Sequence, residues 1–508
     1  MERRQALKSL VVGAATTMLP TTESIAAFML QEIDSLAENK ALFDKALLNN
    51  PKLIGFQGTH QEFSKTRLTI EGTIPKDIKG NFYRNGAALF ERGQQRYQHL
   101  FEGDGMIQDF HFNNGEIYHR GKFVKTHKYQ QEQQVGKFLY SGPDSRVANS
   151  LPVSTPETIN TANTNIIPVN GELWALWEAG SPVAISKEDL STLEYVNLGK
   201  NSDYGNTLKG LAFSAHPKVE ANGDIWNFGM SHTGHIVLYQ LNAKGITRNV
   251  NLIKTSYRGG MLHDFLITHK HILLILPSLE KNNTTSGFFN AIEFNDALPM
   301  QVLVVDKATL TLKKCFDLPS GFAFHYGNAW EESDGSIHFD ASLYSSVDVL
   351  HHMNTLMKGL NPTSLSTAKT TLFTLKPNGT VQHDYIGENS EFPRINETKV
   401  GLRNHELYTI GSTETMLWND TISNYHVSNG KIQQYIYGKD FLVEEHIAVS
   451  PTNKEGEGYL LGTALHVPSK RTCLNIFDVK ELSNGPVCRA WLPYHIPLGF
   501  HGNFVATT

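Results

Sequence analysis

The sequence predicts an all-β protein, a closed β-propeller of around seven blades, and three observations predict it. Beyond residue 60 the chain is rich in short strand-like runs bounded by turn residues, with little helical periodicity. A tight Asn-Gly or Asp-Gly turn recurs at Asn114-Gly115, Asn170-Gly171, Asn222-Gly223, Asp334-Gly335, Asn378-Gly379, Asn429-Gly430 and Asn484-Gly485, in steps of roughly 56, 52, 112, 44, 51 and 55 residues. Asn-Gly supplies the two positive-φ residues of a type I′ hairpin, and a hairpin every 45 to 55 residues is about the spacing of four-stranded blades. The doubled step reads as one hairpin without its glycine, with Asn282-Asn283 standing in. Thirdly, His216, His263, His325 and His501 each lie beside a short apolar strand, separated by roughly 47, 62 and 176 residues. Only a roughly circular fold brings such distant residues to one axis. If they converge, four neutral imidazoles make a site suited to iron, copper, zinc or nickel. An isolated His at a strand end is more often a core or surface residue, so spacing alone leaves both readings open.

Composition narrows the function classes. The 508 residues are 40% hydrophobic and 19% charged, enough for a sizeable core. A net charge of −5 without a Lys/Arg block argues against a nucleic-acid partner. Cys315, Cys473 and Cys488 form no CxxC spacing; the last two could face each other on neighbouring strands, but unpaired thiols are the expected state.

The N-terminus reads differently. Arg3-Arg4 before the mildly apolar run Leu10 to Ala15, with Ala26-Ala27 beyond, resembles a twin-arginine export signal over residues 1–27. It implies a periplasmic protein exported folded with its metal; a cytoplasmic or membrane-peripheral location is the alternative. Residues 28–59 read as a helical and extended arm around the main body, and residues 60–508 as the propeller. Two stretches break the β pattern. Residues 343–360 carry Val347, Leu350, Met353, Leu356 and Met357 at helical spacing, and residues 284–300 include an exposed-looking Phe288-Phe289. Both would lie over one propeller face, packed on the blades, capping a tunnel, or offering peripheral membrane contact.

Several motifs together carry a family likeness. Gly80-Asn81-Phe82-Tyr83-Arg84-Asn85-Gly86, His99 to Met106, Ser214-Ala215-His216-Pro217-Lys218, His263-Asp264-Phe265, Phe324-His325-Tyr326-Gly327, Ser390-Glu391-Phe392-Pro393 and Phe500-His501-Gly502 occur in order. This series resembles the carotenoid cleavage oxygenases. The resemblance implies a seven-bladed propeller under a helical and loop dome, with Fe(2+) on the axis. It implies His216, His263, His325 and His501 as iron ligands, and Glu178, Glu391 and Glu445 as the carboxylates behind them. Glu444, adjacent to Glu445, competes for that assignment. Thr164 matches a threonine whose methyl group crowds one open coordination position. Trp177, Phe324 and Phe392 fall near the substrate tunnel, though blade core explains each equally well.

The activity implied is a dioxygenase that splits a conjugated C=C bond with O2 into two carbonyl products, acting on an apolar substrate. An apocarotenoid or carotenoid is favoured, because no Tyr–Lys pair of the lignostilbene-cleaving branch is evident. A stilbenoid substrate, a retinoid isomerohydrolase and a non-catalytic binding propeller are the other readings.

Overall fold

The computed structural model describes residues 22–231, 233–361, 367–413 and 418–507, with side chains from Ser35 onward. The twin-arginine segment lies outside the described residues, whereas helix α1 (Thr22–Asn49) begins inside the span read as the signal.

Seven antiparallel sheets stand as blades around one axis. Their innermost strands, in ring order, are Gly502–Ala506 (blade 1), Asn165–Val169 (2), Lys218–Val219 (3), Leu266–Ile267 (4), Phe322–Ala323 (5), Ser390–Arg394 (6) and Phe441–Val449 (7). The ring is closed twice. The last strand pairs with Gly80–Leu89 on the inside of blade 1, and Thr69–Gly72 pairs with Cys488–Trp491 on the outside of blade 7. Closure leaves only short outer edges.

The motif at residues 80–86 has a physical reason at this seam. Asn85 exchanges backbone hydrogen bonds with the closing segment, donating its N–H to His501 O at 2.9 Å and accepting from Phe500 N–H at 2.9 Å. Its buried amide donates to Ala162 O and Asn165 O in the next blade, at 2.8 and 2.9 Å. A Cβ on Gly86 would sit 2.4 Å from Gly499 Cα, so glycine is needed where the closing segment crosses.

The turn signals mark blades, but at two different corners. Asn170-Gly171, Asn222-Gly223 and Asp334-Gly335 join first to second strands, while Asn114-Gly115, Asn378-Gly379 and Asn429-Gly430 join third to fourth. Only Asn114-Gly115 and Asn170-Gly171 have both residues at positive φ; the other glycines carry that conformation alone. Asn484-Gly485 ends a 3₁₀ turn, Val479–Asn484. Asn282-Asn283 lies in a dome hairpin between Leu279–Lys281 and Ile292–Phe294, so it replaces no blade turn. The turn it was meant to supply is at residues 268–270, where Thr268 Oγ1 accepts the His271 N–H at 2.8 Å. A threonine hydroxyl does there what the glycine does elsewhere.

The core is divided into wedges between blades. Leu273, Val304 and Phe339 pack blade 4 on blade 5, and Phe228, Ile272 and Leu274 pack blade 3 on blade 4. Each fully buried aliphatic side chain contributes about 1.5–3 kcal/mol, so stability is distributed around the ring. Cys315, Cys473 and Cys488 are unpaired. Cys473 lies opposite Trp491 and Cys488 opposite Ile476, so the latter two do not face each other.

The dome comes largely from one topological position, the connection between second and third strands. Blade 1 contributes residues 90–103, blade 4 the hairpin 279–294, and blade 5 helix α3 (Asp348–Met357). Helix α2 (His127–Val135) follows blade 1, opened by Thr126 and closed by Gly136 at φ 69°. Fully buried Arg96 knits these parts together. Its guanidinium donates to Phe56 O and Met357 O, pairs with Glu91 at 2.6 Å, and lies 3.5 Å over the Phe43 ring of α1. The arm is therefore a packed element as well as an outer wrap.

The apolar side chains of both stretches largely point inward, so the aromatic insertion is not exposed as it reads in the sequence, and they pack on the dome and border the cavity. Phe289 stacks on His99 at 4.1 Å, and Val347, Leu350, Leu356 and Met357 are buried. Of the large apolar residues described in those two spans, Leu298 and Leu360 stay exposed.

Buried neutral histidines make the fold acid-sensitive. His119 is held between Tyr494 Oη and Gln108 Oε1, both at 2.9 Å, and burial lowers its pKa to about 3. The unfolded chain takes up this proton first, so stability is lost as pH falls from about 6.5 through the folded value. The melting temperature should fall between pH 7 and pH 4, and His119→Gln should flatten that slope in thermal unfolding.

Candidate metal centre

Each of the four histidines sits where an innermost strand begins or is interrupted, on the dome side of the ring. Neighbouring polar side chains fix each loop. Asn165 and Asn227 donate their amides to Ala215 O and Ser214 O, both at 2.7 Å, and Ser214 Oγ accepts the His216 N–H at 3.2 Å. Asp264, buried beside His263, accepts the Phe265 and Tyr326 N–H groups at 2.7 and 3.0 Å and pairs with Lys218 at 2.8 Å. One carboxylate thereby grips residues next to His325 and near His216 while adjoining His263. Sequence reasoning assigned Asp264 no role; its place directly after a ligand was the available signal.

The rings meet on the axis, all buried. His216 Nε2 lies 2.9 Å from His263 Nε2, which lies 3.2 Å from His325 Nε2; the four ligand atoms are within 4.8 Å of one another. Two imidazoles bound at right angles by bonds of about 2.1 Å would place their nitrogens about 3.0 Å apart. The geometry fits a shared metal ion.

Carboxylates stand behind three of the rings. Glu445 Oε1 is 2.9 Å from His501 Nδ1, Glu391 Oε2 is 2.6 Å from His325 Nδ1, and Glu178 meets His263 Nδ1. Engaging Nδ1 fixes the tautomer that turns the Nε2 lone pair to the axis. Burial and the neighbouring rings hold His216 well below its ordinary pKa, and burial lowers His501 to about 4. Burial would also lower His263, but the Glu178 carboxylate outweighs it and the net direction is upward. Burial opposes ionisation of Glu445, yet Arg394, His501 and the Gly502 N–H bring it down to about 2. Four ring nitrogens converging on one buried axis, with carboxylates behind three of them, make an arrangement suited to a cation.

The choice between Glu444 and Glu445 is made by a β-bulge. Val443 pairs with Ala464 and His446 with Gly462, so Glu444 and Glu445 together oppose Thr463. The extra residue sends the two adjacent side chains to different partners. Glu445 reaches His501, while Glu444 pairs with buried Arg84 at 2.7 Å and meets Thr463 and the Gly499 N–H. A second irregularity follows Glu391 in blade 6, between Glu391↔Ile410 and Arg394↔Tyr408. There Phe392 adopts φ 50°, rare for a bulky residue, and donates its N–H to Glu391 Oε2 at 2.8 Å.

The centre opens into a cavity of about 190 Å³ beneath the dome. Thr164, Trp177, Phe324 and Phe392 all border it, as do Phe101 and Phe289. Phe324 lies 5.3 Å from the His263 ring and Phe392 4.8 Å from His325. Thr164 donates its hydroxyl to Asn163 Oδ1 at 3.0 Å, so its one polar side-chain group is already engaged. The second-to-third connections thus supply cavity walls from blades 1, 2, 4, 5 and 6, through Phe101, Trp177, Phe289, Met353 and Trp418.

The chain is thus a closed propeller with four converging imidazoles under a largely apolar dome, a candidate metalloprotein. The family model described as RPE65, retinal pigment epithelial membrane protein, matches residues 56–506, and the chain belongs to this RPE65/carotenoid cleavage oxygenase family. It is 27% identical to the apocarotenoid-15,15'-oxygenase of Synechocystis over 90% of this chain and 96% of that one. It is 25% identical to lignostilbene-alpha,beta-dioxygenase isozyme III of Sphingomonas paucimobilis, over 86% of this chain and 93% of that one. The solved structure of cobalt-substituted Synechocystis ACO superposes with a TM-score of 0.79 at 25% identity, covering 90% of this chain and 99% of that one.

The two glutamates should separate in experiment. Glu445→Gln should weaken divalent-metal affinity about 10–100-fold in a chelator-competition titration. Arg84→Met should cost about 3–5 kcal/mol in urea unfolding by stranding Glu444, with metal affinity of the folded fraction near wild type.

Proposed function

We propose that this chain is an iron(II) dioxygenase that splits a conjugated C=C bond of an apocarotenoid or carotenoid with O2, giving two carbonyl products. The observation carrying the reading is the four-imidazole centre at the wall of a cavity lined mainly by aromatic and aliphatic side chains. An all-imidazole donor set suits iron as it does copper, zinc and nickel, and O2 chemistry favours the redox-active iron. Bound ferrous ion would supply the reactivity toward O2 that side chains lack.

The chain's own residues do the rest. Phe101, Phe289 and Phe324 exclude water and form a slot for a flat, rigid polyene. Phe392, over His325 and near His501, borders the reacting end. The Thr164 methyl restricts space beside the imidazoles. Cleavage breaks the C=C and O–O bonds and gives each carbon one oxygen, so it consumes and releases no net proton. That balance agrees with Glu178, Glu391 and Glu445 being committed to histidines.

No lysine borders the cavity among the described residues. This favours a polyene over a phenolic stilbene, for which the likeness to the lignostilbene dioxygenase is the argument. Residues 1–27 are proposed as a twin-arginine signal for export of the folded holoenzyme.

Purified protein should contain about one iron per chain and cleave an apocarotenal aerobically to paired carbonyl products. His325→Ala should lose the iron and at least about 100-fold in kcat/KM. Absence of iron, or wild-type turnover in that variant, overturns the reading; faster cleavage of a hydroxystilbene replaces it with the stilbenoid one.

A further inference from the structure

Helix α3 presents Val349, His352, Met353 and Leu356 to the cavity. The spacing i, i+3, i+4, i+7 is one face of a helix, and three of the four residues are apolar. Leu350 and Met357, about a quarter turn around the helix, pack into the dome with Val347, which precedes it. His352 interrupts an otherwise apolar wall.

Much of the polar lining is already committed. Asn163 donates to Phe101 O and Gly103 O at 2.9 and 2.8 Å, Thr164 donates to Asn163, and Asn389 donates to Ser412 O at 3.1 Å. Ser390 is bonded to Thr370. His263, His325, His501, Glu178 and Glu391 belong to the metal centre. The His352 imidazole makes no such hydrogen bond among the described residues and faces the cavity. Burial lowers its pKa to about 4, so at neutral pH it presents one N–H donor and one acceptor nitrogen. A helix wall built only to enclose a hydrocarbon would gain from leucine here, whereas imidazole suits an oxygen-bearing group.

We propose that His352 binds the oxygenated end of the substrate, a terminal carbonyl or hydroxyl, and thereby sets which double bond lies at the metal centre. The inference rests on the polyene-cleavage reading for its substrate class. α3 is anchored by the His99 ring nitrogen on Leu350 O at 3.2 Å and by Asn354 on Asp144 at 3.0 Å. His352 therefore stands at a fixed place relative to the four imidazoles. A rigid polyene held at one end there is registered along its length. A hydrocarbon of the same length would slide.

The test compares an apocarotenal with the hydrocarbon polyene of equal conjugated length. Binding to the holoenzyme is followed anaerobically by quenching of tryptophan fluorescence, and cleavage products are then identified in air. Wild type should bind the aldehyde about tenfold tighter, the loss expected for one hydrogen bond, and give one product pair. His352→Leu should erase the preference and yield mixed product lengths, while His352→Gln should recover most of the preference. Equal wild-type affinity for the two polyenes, binding of neither, or a preference that survives in His352→Leu overturns the proposal. If the preference depends on His352 yet no polyene is cleaved, the oxygenase reading fails and the end-group site stands.

Discussion

Four imidazole nitrogens meet within 4.8 Å of one another in buried space with carboxylates behind three of the rings, and the rest of the structure depends on holding them there. Three carboxylates stand behind the rings and Arg394 offsets Glu445 alone, so a cation at the focus of the imidazoles would relieve the electrostatic cost of the arrangement. The second requirement is precision, since a ligand nitrogen displaced by a few tenths of an ångström no longer fits a metal bond. Ring closure supplies that precision. The chain's last strand brings in His501 and is clamped by Asn85, while Asp264 ties together the loops of the other three.

The same closure frees the dome to wall the cavity. A blade needs its second and third strands paired, but the connection between them can be long without disturbing the sheet. Five blades use that connection to reach over the axis and place side chains around the cavity. Arg96 and the Asp144–Asn354 contact then lock the pieces to one another. The four converging histidines reside in the first strands and their loops, and much of the cavity wall in the second-to-third connections.

Much of the fold was legible because β-structure writes itself in turn residues and alternation. The glycine period announced the blades even though it mixed two corners of them, because each corner recurs about once per blade. It failed at blade 4, where Thr268 closes the turn and no glycine appears. The convergence of His216, His263, His325 and His501 was legible through their flanking motifs. Asp264 was visible but unassigned, since nothing in a sequence says which backbone amides a carboxylate will accept. His352 lay within a stretch read only for its apolar stripe.

Sequence by itself determined the strand-rich closed ring, the donor types of the metal centre and the aromatic content of its surroundings, because these are properties of residue kind and order. Tertiary structure alone decided between Glu444 and Glu445. The deciding feature is one extra residue opposite Thr463, a pairing offset that exists only once two strands are in register. It also turned Phe289, Leu350, Leu356 and Met357 inward, since whether an apolar face meets solvent depends on what the fold brings beneath it.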